Sequence, residues 1–216
     1  VPRITDSALQ HVVVTNTIAL QEQLVTKDIP FLRAILDPDL PADTPNPPDA
    51  DKPPSARTRL KPVLVKGRGN YVSIRRLHMA SQRQDRLFAD APARRSLHVI
   101  QEWAMDTDDG TLSTLPPLER QGIWDRVQSD SGNCMGRKCR TYQECFYQSA
   151  RREMETANLL ICNHALFFSD LALRAQEVGF LPKYDHVIID EAHQAEDVAA
   201  EHFGVSLTEG RVQHFL

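Results

Sequence analysis

Residues 186–193 read His-Val-Ile-Ile-Asp-Glu-Ala-His, and this stretch decides the expected fold. Val187, Ile188 and Ile189 fit a buried strand of a parallel sheet, and two acids follow them directly. Because open parallel sheets place their ligands at the carboxyl ends of strands, Asp190 and Glu191 stand where chemistry is expected. One carboxylate there can hold Mg²⁺, and the next can polarise an attacking water. The alternative is that both acids only stabilise the first turn of a helix.

Other apolar runs and amphipathic segments repeat this alternation along the chain. The residue pattern predicts strands at 11–15, 62–65, 158–162 and 186–189. It predicts helices from Ile18, at 74–88, 93–106, 116–129 and 141–155, from Asn163-His164 to Leu173, and after the two acids to about Glu201. Asn16 or Thr17 is expected to cap the first helix. Strands alternating with helices predict a parallel α/β sheet interrupted by a mainly helical insertion.

The segment from Pro30 to Pro54 differs in composition from the rest of the chain. It holds eight of the fourteen prolines and five aspartates. Neither a helix nor an internal strand tolerates that density of proline, so a loop or linker is predicted there.

Bulk composition is typical of a globular protein without a membrane anchor. The 216 residues carry a net charge of −4, and no apolar run reaches the length of a membrane span. The first residues lack the basic and apolar regions of a secretory signal, so a cytoplasmic monomer is expected. Neither Val1-Pro2 nor Phe215-Leu216 resembles a natural terminus, which predicts an internal piece of a longer protein.

Basic residues are concentrated in the middle of the chain. Between Arg57 and Arg95 there are eleven Lys and Arg residues but only two acids. A second basic group surrounds the cysteines and consists of Arg137, Lys138, Arg140, Arg151 and Arg152. Such blocks suit phosphate backbones, although a solvated helix face is the common alternative for charge alone.

Three of the four cysteines, Cys134, Cys139 and Cys145, fall within twelve residues. In a chain without a secretion signal, that spacing favours a metal or cluster site over a disulfide framework. Cys162 lies in an apolar strand and is predicted to be a core residue. Trp103 and Trp124 fall in apolar helical patterns, so they are also predicted to pack in the core.

Several segments together resemble the DinG/XPD-like (Rad3-type) branch of the superfamily 2 DEAH-box DNA helicases. Val14 to Leu24 is similar to the family's motif Ia, and Lys66 to Tyr71 resembles the start of its iron–sulfur insertion. The three clustered cysteines, followed by Phe146-Tyr147, resemble the end of that insertion. Asn158 to Leu166 resembles the return to the ATPase core, and Asp190 to His193 matches the DEAH box.

This resemblance implies a RecA-like P-loop NTPase motor domain that uses ATP and Mg²⁺. Asp190 would hold Mg²⁺, Glu191 would be the catalytic base, and His193 would couple the nucleotide site to nucleic acid. Contacts with nucleic acid are predicted at the end of the first strand and in the basic block, at Thr15, Asn16, Thr17, Lys66, Arg68, Tyr71, Arg75 and Arg76. The implied activity is ATP-driven 5′→3′ translocation on single-stranded DNA and unwinding of forked duplex DNA, with a part in DNA repair.

The sequence departs from the family pattern in two places. The family's [4Fe–4S] cluster would be held by Cys134, Cys139 and Cys145, but Ser73 stands where the first cluster cysteine is expected. A serine hydroxyl is far less acidic than a thiol, so a labile cluster or none is predicted. No Gly-Lys-Ser or Gly-Lys-Thr occurs, so the phosphate-binding loop is missing and this chain by itself is predicted to be inactive.

The resemblance also divides the chain. Residues 1–60 would begin motor domain 1 and contain the proline-rich loop at 30–54, 61–156 would form the iron–sulfur-type insertion, and 157–201 would return to the motor domain with the DEAH box. Residues 202–216 would begin the family's Arch insertion. Two alternatives stay open. One is a non-catalytic nucleic-acid-binding module with a zinc or vestigial metal site, and the other is a helicase-like scaffold that hydrolyses nothing.

Overall fold

The computed structural model describes residues 9–36 and 60–203, which form two compact units. The first unit contains a sheet and consists of the described residues up to Val65 and from Met154 onward. The second unit runs from Lys66 to Glu153. It lies within the 61–156 expected for the insertion, but strand residues 62–64 and Val65 belong to the sheet unit.

Four parallel strands form the sheet of the first unit in the order β2-β3-β1-β4. The strands are β1 (His11–Thr15), β2 (Pro62–Leu64), β3 (Leu159–Asn163) and β4 (His186–Ile189). The described helices are α1 (Ile18–Gln23), α2 (Ile29–Leu36), α3 (Ile74–Gln82), α4 (Gln84–Leu87), α5 (Ala91–Asp106), α6 (Trp124–Val127), α7 (Phe146–Thr156), α8 (His164–Arg174) and α9 (Ala195–Phe203). The predicted parallel α/β class is confirmed.

Strand β1 is the centre of this sheet. Its residues pair in parallel with β3 on one side and with β4 on the other. Val12, Val14, Leu160 and Cys162 are fully buried and form one core with residues of α8. Burial raises the pKa of the Cys162 thiol to about 12, which fits the prediction of a core residue and not a ligand.

The first helix begins where the sequence predicts, because the Thr17 hydroxyl accepts a hydrogen bond from the Leu20 N–H at 3.2 Å. The predicted loop from Pro30 is wrong for its first residues, since α2 continues to Leu36. A widened π-helical turn at Leu24–Asp28 precedes the proline. Helical residues run without a break from Ile18 to Leu36, and the wide turn lies next to the proline, which has no N–H to continue the regular pattern of hydrogen bonds. Residues 37–54 of the predicted loop lie outside the described residues.

The second unit is mainly helical and has its own core, which contains Val72, Leu97, Ile100 and Trp124. The helix predicted at 74–88 is divided at Arg83 into α3 and α4, and Phe88 then turns into the core. The helix predicted at 116–129 is wrong over most of its length. Pro116 and Pro117 cannot donate backbone hydrogen bonds, and only a 3₁₀ turn and the four-residue α6 form there.

The helix predicted at 141–155 begins only at Phe146, because the residues before it form turns around the cysteines. Trp124 is buried, as predicted, and its indole N–H donates to the Gly69 carbonyl at 2.9 Å. Its ring meets that of Trp103 edge-on, with centroids 6.2 Å apart.

A buried carboxylate anchors the segment between α8 and β4. Asp170 is completely buried and accepts hydrogen bonds from the N–H groups of Phe180 and Leu181 at 2.7 and 2.8 Å. Its other oxygen pairs with Arg174 Nε at 2.5 Å. Arg174 in turn donates to the carbonyls of Leu181 and Pro182. This network fixes the segment that leads to β4.

We expect Asp170→Ala to lower the free energy of unfolding of the protein by about 2–4 kcal/mol, because two N–H groups lose their acceptor and the partly exposed Arg174 guanidinium loses its partner. Chemical denaturation followed by circular dichroism measures this change. Glu201→Ala, an exposed acid on α9, is the control and should change stability by less than about 0.5 kcal/mol. Equal effects of the two variants would contradict the anchoring role.

Candidate functional site

The carboxyl ends of three neighbouring strands form the candidate nucleotide edge. In the register of the sheet, Thr15 of β1 pairs with Asn163 of β3, and Val14 pairs with Ile189 of β4. The Asp190 N–H extends this ladder and donates to the Val14 carbonyl at 2.8 Å. Parallel pairing therefore brings Asn16, His164 and Asp190 to one edge.

Glu191 has an unusual backbone conformation. Its φ of 51° and ψ of 43° lie in the left-handed region, which costs a non-glycine residue about 1–2 kcal/mol. The turn is closed by the Gln194 N–H, which donates to the Glu191 carbonyl at 2.9 Å. Asp190 and Glu191 are both exposed to solvent at this edge. Strain of this kind is concentrated at functional sites, where it directs a side chain that the regular backbone would point elsewhere.

His164 contacts the backbone of the DEAH box, a role that the sequence pattern did not predict. The residue is 1% exposed at the start of α8, and its Nε2 lies 2.8 Å from the Asp190 carbonyl oxygen. Asn163 caps the same helix by accepting a hydrogen bond from the Leu166 N–H at 2.8 Å. A polar pair placed directly after a buried strand was the available signal, because such pairs face the ligand edge.

Contacts between side chains also connect the DEAH box with the end of β1. His193 Nδ1 lies 3.3 Å from Glu191 Oε2, and His193 Nε2 lies 3.2 Å from Gln194 Nε2. The Asn16 amide donates to Gln194 Oε1. Of the three residues predicted to contact nucleic acid here, Asn16 is thus in contact with the DEAH turn. Thr15 has a buried side chain, and Thr17 caps α1.

The basic residues predicted to contact nucleic acid have partners inside the second unit. Lys66 Nζ donates to the hydroxyls of Thr111 and Ser113 at 3.0 and 2.7 Å. The Arg68 guanidinium lies 4.3 Å from the centre of the Tyr147 ring and donates to the Ser129 hydroxyl.

The two arginines of α3 donate hydrogen bonds to the segment that leads to the cysteines. Arg76 donates to the carbonyls of Gln128 and Asp125 at 2.5 and 2.9 Å. Arg75 donates to the Asn133 carbonyl at 2.8 Å. These contacts stabilise the second unit, whether or not Arg75 and Arg76 also bind a phosphate group.

Tyr71 is buried, whereas its predicted role as a nucleic-acid contact requires an exposed ring. It is 4% exposed, and burial raises the pKa of its phenol to about 12. Its ring meets Tyr147 edge-on at 5.8 Å. A buried ring offers no face on which a base can stack, so the structure gives this residue a packing role.

Ser73, Cys134, Cys139 and Cys145 line one pocket of the second unit. The residues expected at the cluster site are therefore brought to the same place. The space that they enclose is about 30 Å³, far below the roughly 300–1,000 Å³ typical of ligand pockets. The Ser73 hydroxyl caps α3 by accepting from the Arg76 N–H at 3.4 Å.

This arrangement does not fit a four-ligand iron–sulfur cluster as it stands. Across residues 9–36 and 60–203, no three His, Cys, Asp or Glu side chains are arranged to hold a metal ion. The thiols have other contacts: Cys134 Sγ lies 3.4 Å from the Gly136 N–H nitrogen, and Cys139 Sγ lies 3.3 Å from the Thr141 hydroxyl. The fourth position is a serine already used as a helix cap.

Comparison with known proteins places the chain in a family. Residues 129–212 match the DEAD_2 family, a range that contains the clustered cysteines and the DEAH box. The chain is 31% identical over 201 residues to the ATP-dependent DNA helicase YoaA of Escherichia coli, covering 91% of the chain and 28% of that protein. It is 31% identical over 198 residues to the ATP-dependent helicase DinG of Mycobacterium tuberculosis, covering 86% of the chain and 27% of that protein.

The chain belongs to the DinG/XPD-like helicases. A further member, the ATP-dependent DNA helicase DinG of Salmonella choleraesuis, is 31% identical over 203 residues, which are 88% of the chain and 25% of that protein. The chain thus spans about a quarter of the length of these DinG/XPD-like relatives. Its parallel sheet is part of a RecA-like helicase domain. Among the described helices, none is long and apolar enough to span a membrane.

Proposed function

We propose that this chain is part of motor domain 1 of an ATP-dependent DNA helicase, which translocates 5′→3′ on single-stranded DNA and unwinds forked duplexes. The observation that carries the proposal is the strained turn after β4, which exposes Asp190 and Glu191 at the carboxyl edge of a parallel sheet. The 31% identity to proteins named ATP-dependent DNA helicases supports the same activity. The polarity rests on the family resemblance.

In this proposal the two acids have separate roles. Asp190 would hold Mg²⁺ either directly or through a water molecule of the ion's shell. Mg²⁺ in phosphotransfer sites takes one or two protein carboxylates and completes its shell with water and phosphate oxygens. When bound there, Mg²⁺ would supply positive charge that offsets the charge of the nucleotide phosphates. Glu191 accepts a proton from the attacking water. His193, which lies 3.3 Å from Glu191, orients that carboxylate.

We propose that DNA contacts two parts of the chain, Asn16 in the first unit and the basic surface of the second unit. Asn16 lies at the end of β1, beside the DEAH turn. Arg137, Lys138, Arg140 and Arg152 are exposed, and no hydrogen bond or ion pair is seen for them within the described residues. Their guanidinium and ammonium groups are available to phosphates, whereas Lys66, Arg68, Arg75 and Arg76 already have internal partners. Both groups are proposed to contribute, the exposed group more strongly.

In the full-length protein we expect Glu191→Gln to reduce the kcat for ATP hydrolysis at least about 100-fold while leaving the Kd for ATP within about threefold. The substitution removes the base but not the groups that bind the nucleotide. Phosphate release and equilibrium nucleotide binding measure the two effects. Glu196→Gln, an exposed acid in the first turn of α9, is the matched control and should be fully active. Undiminished turnover in the Glu191 variant would exclude Glu191 as the base, and a wild-type protein that releases no phosphate would favour the non-catalytic scaffold.

We expect replacement of Arg137, Lys138, Arg140 and Arg152 by Gln to weaken binding to an oligo-dT strand and to reduce the slope of log K against log salt. Each lost phosphate contact should reduce the slope by about 0.7 for single-stranded DNA. Fluorescence anisotropy at several salt concentrations gives both quantities. Lys27→Gln and Lys183→Gln, exposed positions in the first unit, are the controls. An unchanged slope would mean that this surface only keeps the protein soluble.

We propose that the insertion holds at most a labile iron–sulfur cluster, because Ser73 replaces one thiol. Protein purified without oxygen is expected to contain less than one cluster per chain and to lose its iron and sulfide quickly in air. Iron and sulfide analysis with visible absorption checks this. Ser73→Cys should make the cluster durable in air. If Ser73→Cys stays colourless and free of iron when purified without oxygen, the cluster has been abandoned altogether.

A further inference from the structure

A row of four polar side chains runs from the catalytic base to the end of β1. Glu191, His193 and Gln194 follow each other around the DEAH turn, and Asn16 closes the row from the neighbouring strand. The separations are 3.3 Å from Glu191 Oε2 to His193 Nδ1 and 3.2 Å from His193 Nε2 to Gln194 Nε2. All four residues belong to the sheet unit.

The chemistry of these groups fixes the direction of every hydrogen bond in the row. The amide nitrogen of Asn16 can only donate, so the Gln194 oxygen accepts. The Gln194 nitrogen then faces His193 and donates to Nε2, which must carry no proton. The other ring nitrogen, Nδ1, faces the Glu191 carboxylate at 3.3 Å. Both hydrogen bonds thus point from Asn16 towards His193, whose other ring nitrogen lies beside the Glu191 carboxylate.

We propose that Gln194 is a positioning residue that transmits DNA binding at Asn16 to the catalytic base. The inference rests on the proposed function, in which Asn16 contacts the DNA strand and Glu191 activates the water. The Gln194 carboxamide presents its oxygen to Asn16 and its N–H to His193, so it accepts from one residue and donates to the other at once. Phosphate or base oxygens that attract the Asn16 amide move Gln194, and through His193 they reorient Glu191. The row thus links Asn16, the proposed DNA contact, to Glu191, the proposed base, through side chains and not through the backbone.

Neither neighbour of Gln194 can take its place. His193 touches Glu191 but has no contact with Asn16 among the described residues. Asn16 stands at the end of the row, and the side chains of Gln194 and His193 lie between it and Glu191. The coupling therefore depends on the amide of Gln194, and an apolar side chain of the same length removes it without removing a catalytic group.

The test measures ATP turnover of the full-length protein with saturating single-stranded DNA and without DNA, and the ratio of the two rates is the readout. Gln194→Met keeps the length of the side chain but neither accepts from Asn16 nor donates to His193 as the amide does. We expect its ratio to fall about fivefold or more, the lower bound of typical coupling between sites, with the KM for ATP and the Kd for DNA within about twofold of wild type. Gln176→Met, the same change at an exposed position after α8, should leave the ratio unaltered.

Two further variants separate coupling from a general loss of structure. Gln194→Leu neither accepts from Asn16 nor donates to His193, so it should reduce the ratio like Met. Asn16→Ala combined with Gln194→Met should have the same ratio as Gln194→Met alone, because the row is already broken. A wild-type ratio in Gln194→Met overturns the inference, as does a parallel fall of both rates with the ratio retained. Wild-type protein that DNA does not stimulate, or that hydrolyses no ATP, overturns the proposed function as well.

Discussion

Parallel pairing of β1 with strands on both of its sides is the constraint on which the site depends. The register joins Val14 to Cys162 and to Ile189, so three strands end level with one another. Asn16 and Gln194 can meet only because of this register, although 178 positions separate them in the chain. A slip of one residue would move Val12 and Val14 from the core that contains α8 to the opposite face of the sheet, where a second apolar cluster packs around Val13. The hydrophobic core thus fixes the alignment of the polar edge.

The alignment also stabilises the strained turn at Glu191. The left-handed conformation costs about 1–2 kcal/mol, and the backbone around it is held at three points. Asp190 donates to Val14, His164 binds the Asp190 carbonyl, and Gln194 closes the turn. A hydrogen bond contributes about 0.5–1.5 kcal/mol, so the three together offset the strain. The carboxylates therefore project from a turn whose geometry is set before any nucleotide binds, which reduces the reorganisation needed for chemistry.

Local patterns in the sequence predicted much of this arrangement. The four strands, the Thr17 cap and the position of the two acids follow from hydrophobic periodicity and from capping chemistry, which act over a few residues. The contact of His164 with Asp190 and the link between Asn16 and Gln194 depend on register across strands, which no local pattern contains. The same limit explains Tyr71, whose aromatic ring and basic neighbours resemble a DNA contact until the fold buries it.

The cysteine pocket shows how much of the insertion is held without thiolates. The backbone of Tyr71 accepts a hydrogen bond from the Ser129 N–H at 2.7 Å, and the Ser73 N–H donates to the Val127 carbonyl at 2.8 Å. Arg75 and Arg76 add charged donors to carbonyls of the same facing segment, and bonds of this kind are stronger than neutral ones. Hydrogen bonds between protein groups thus join residues 71–76 to residues 127–133, the two segments beside the pocket. This network holds the segments around Ser73 and the cysteines together by hydrogen bonds between protein groups.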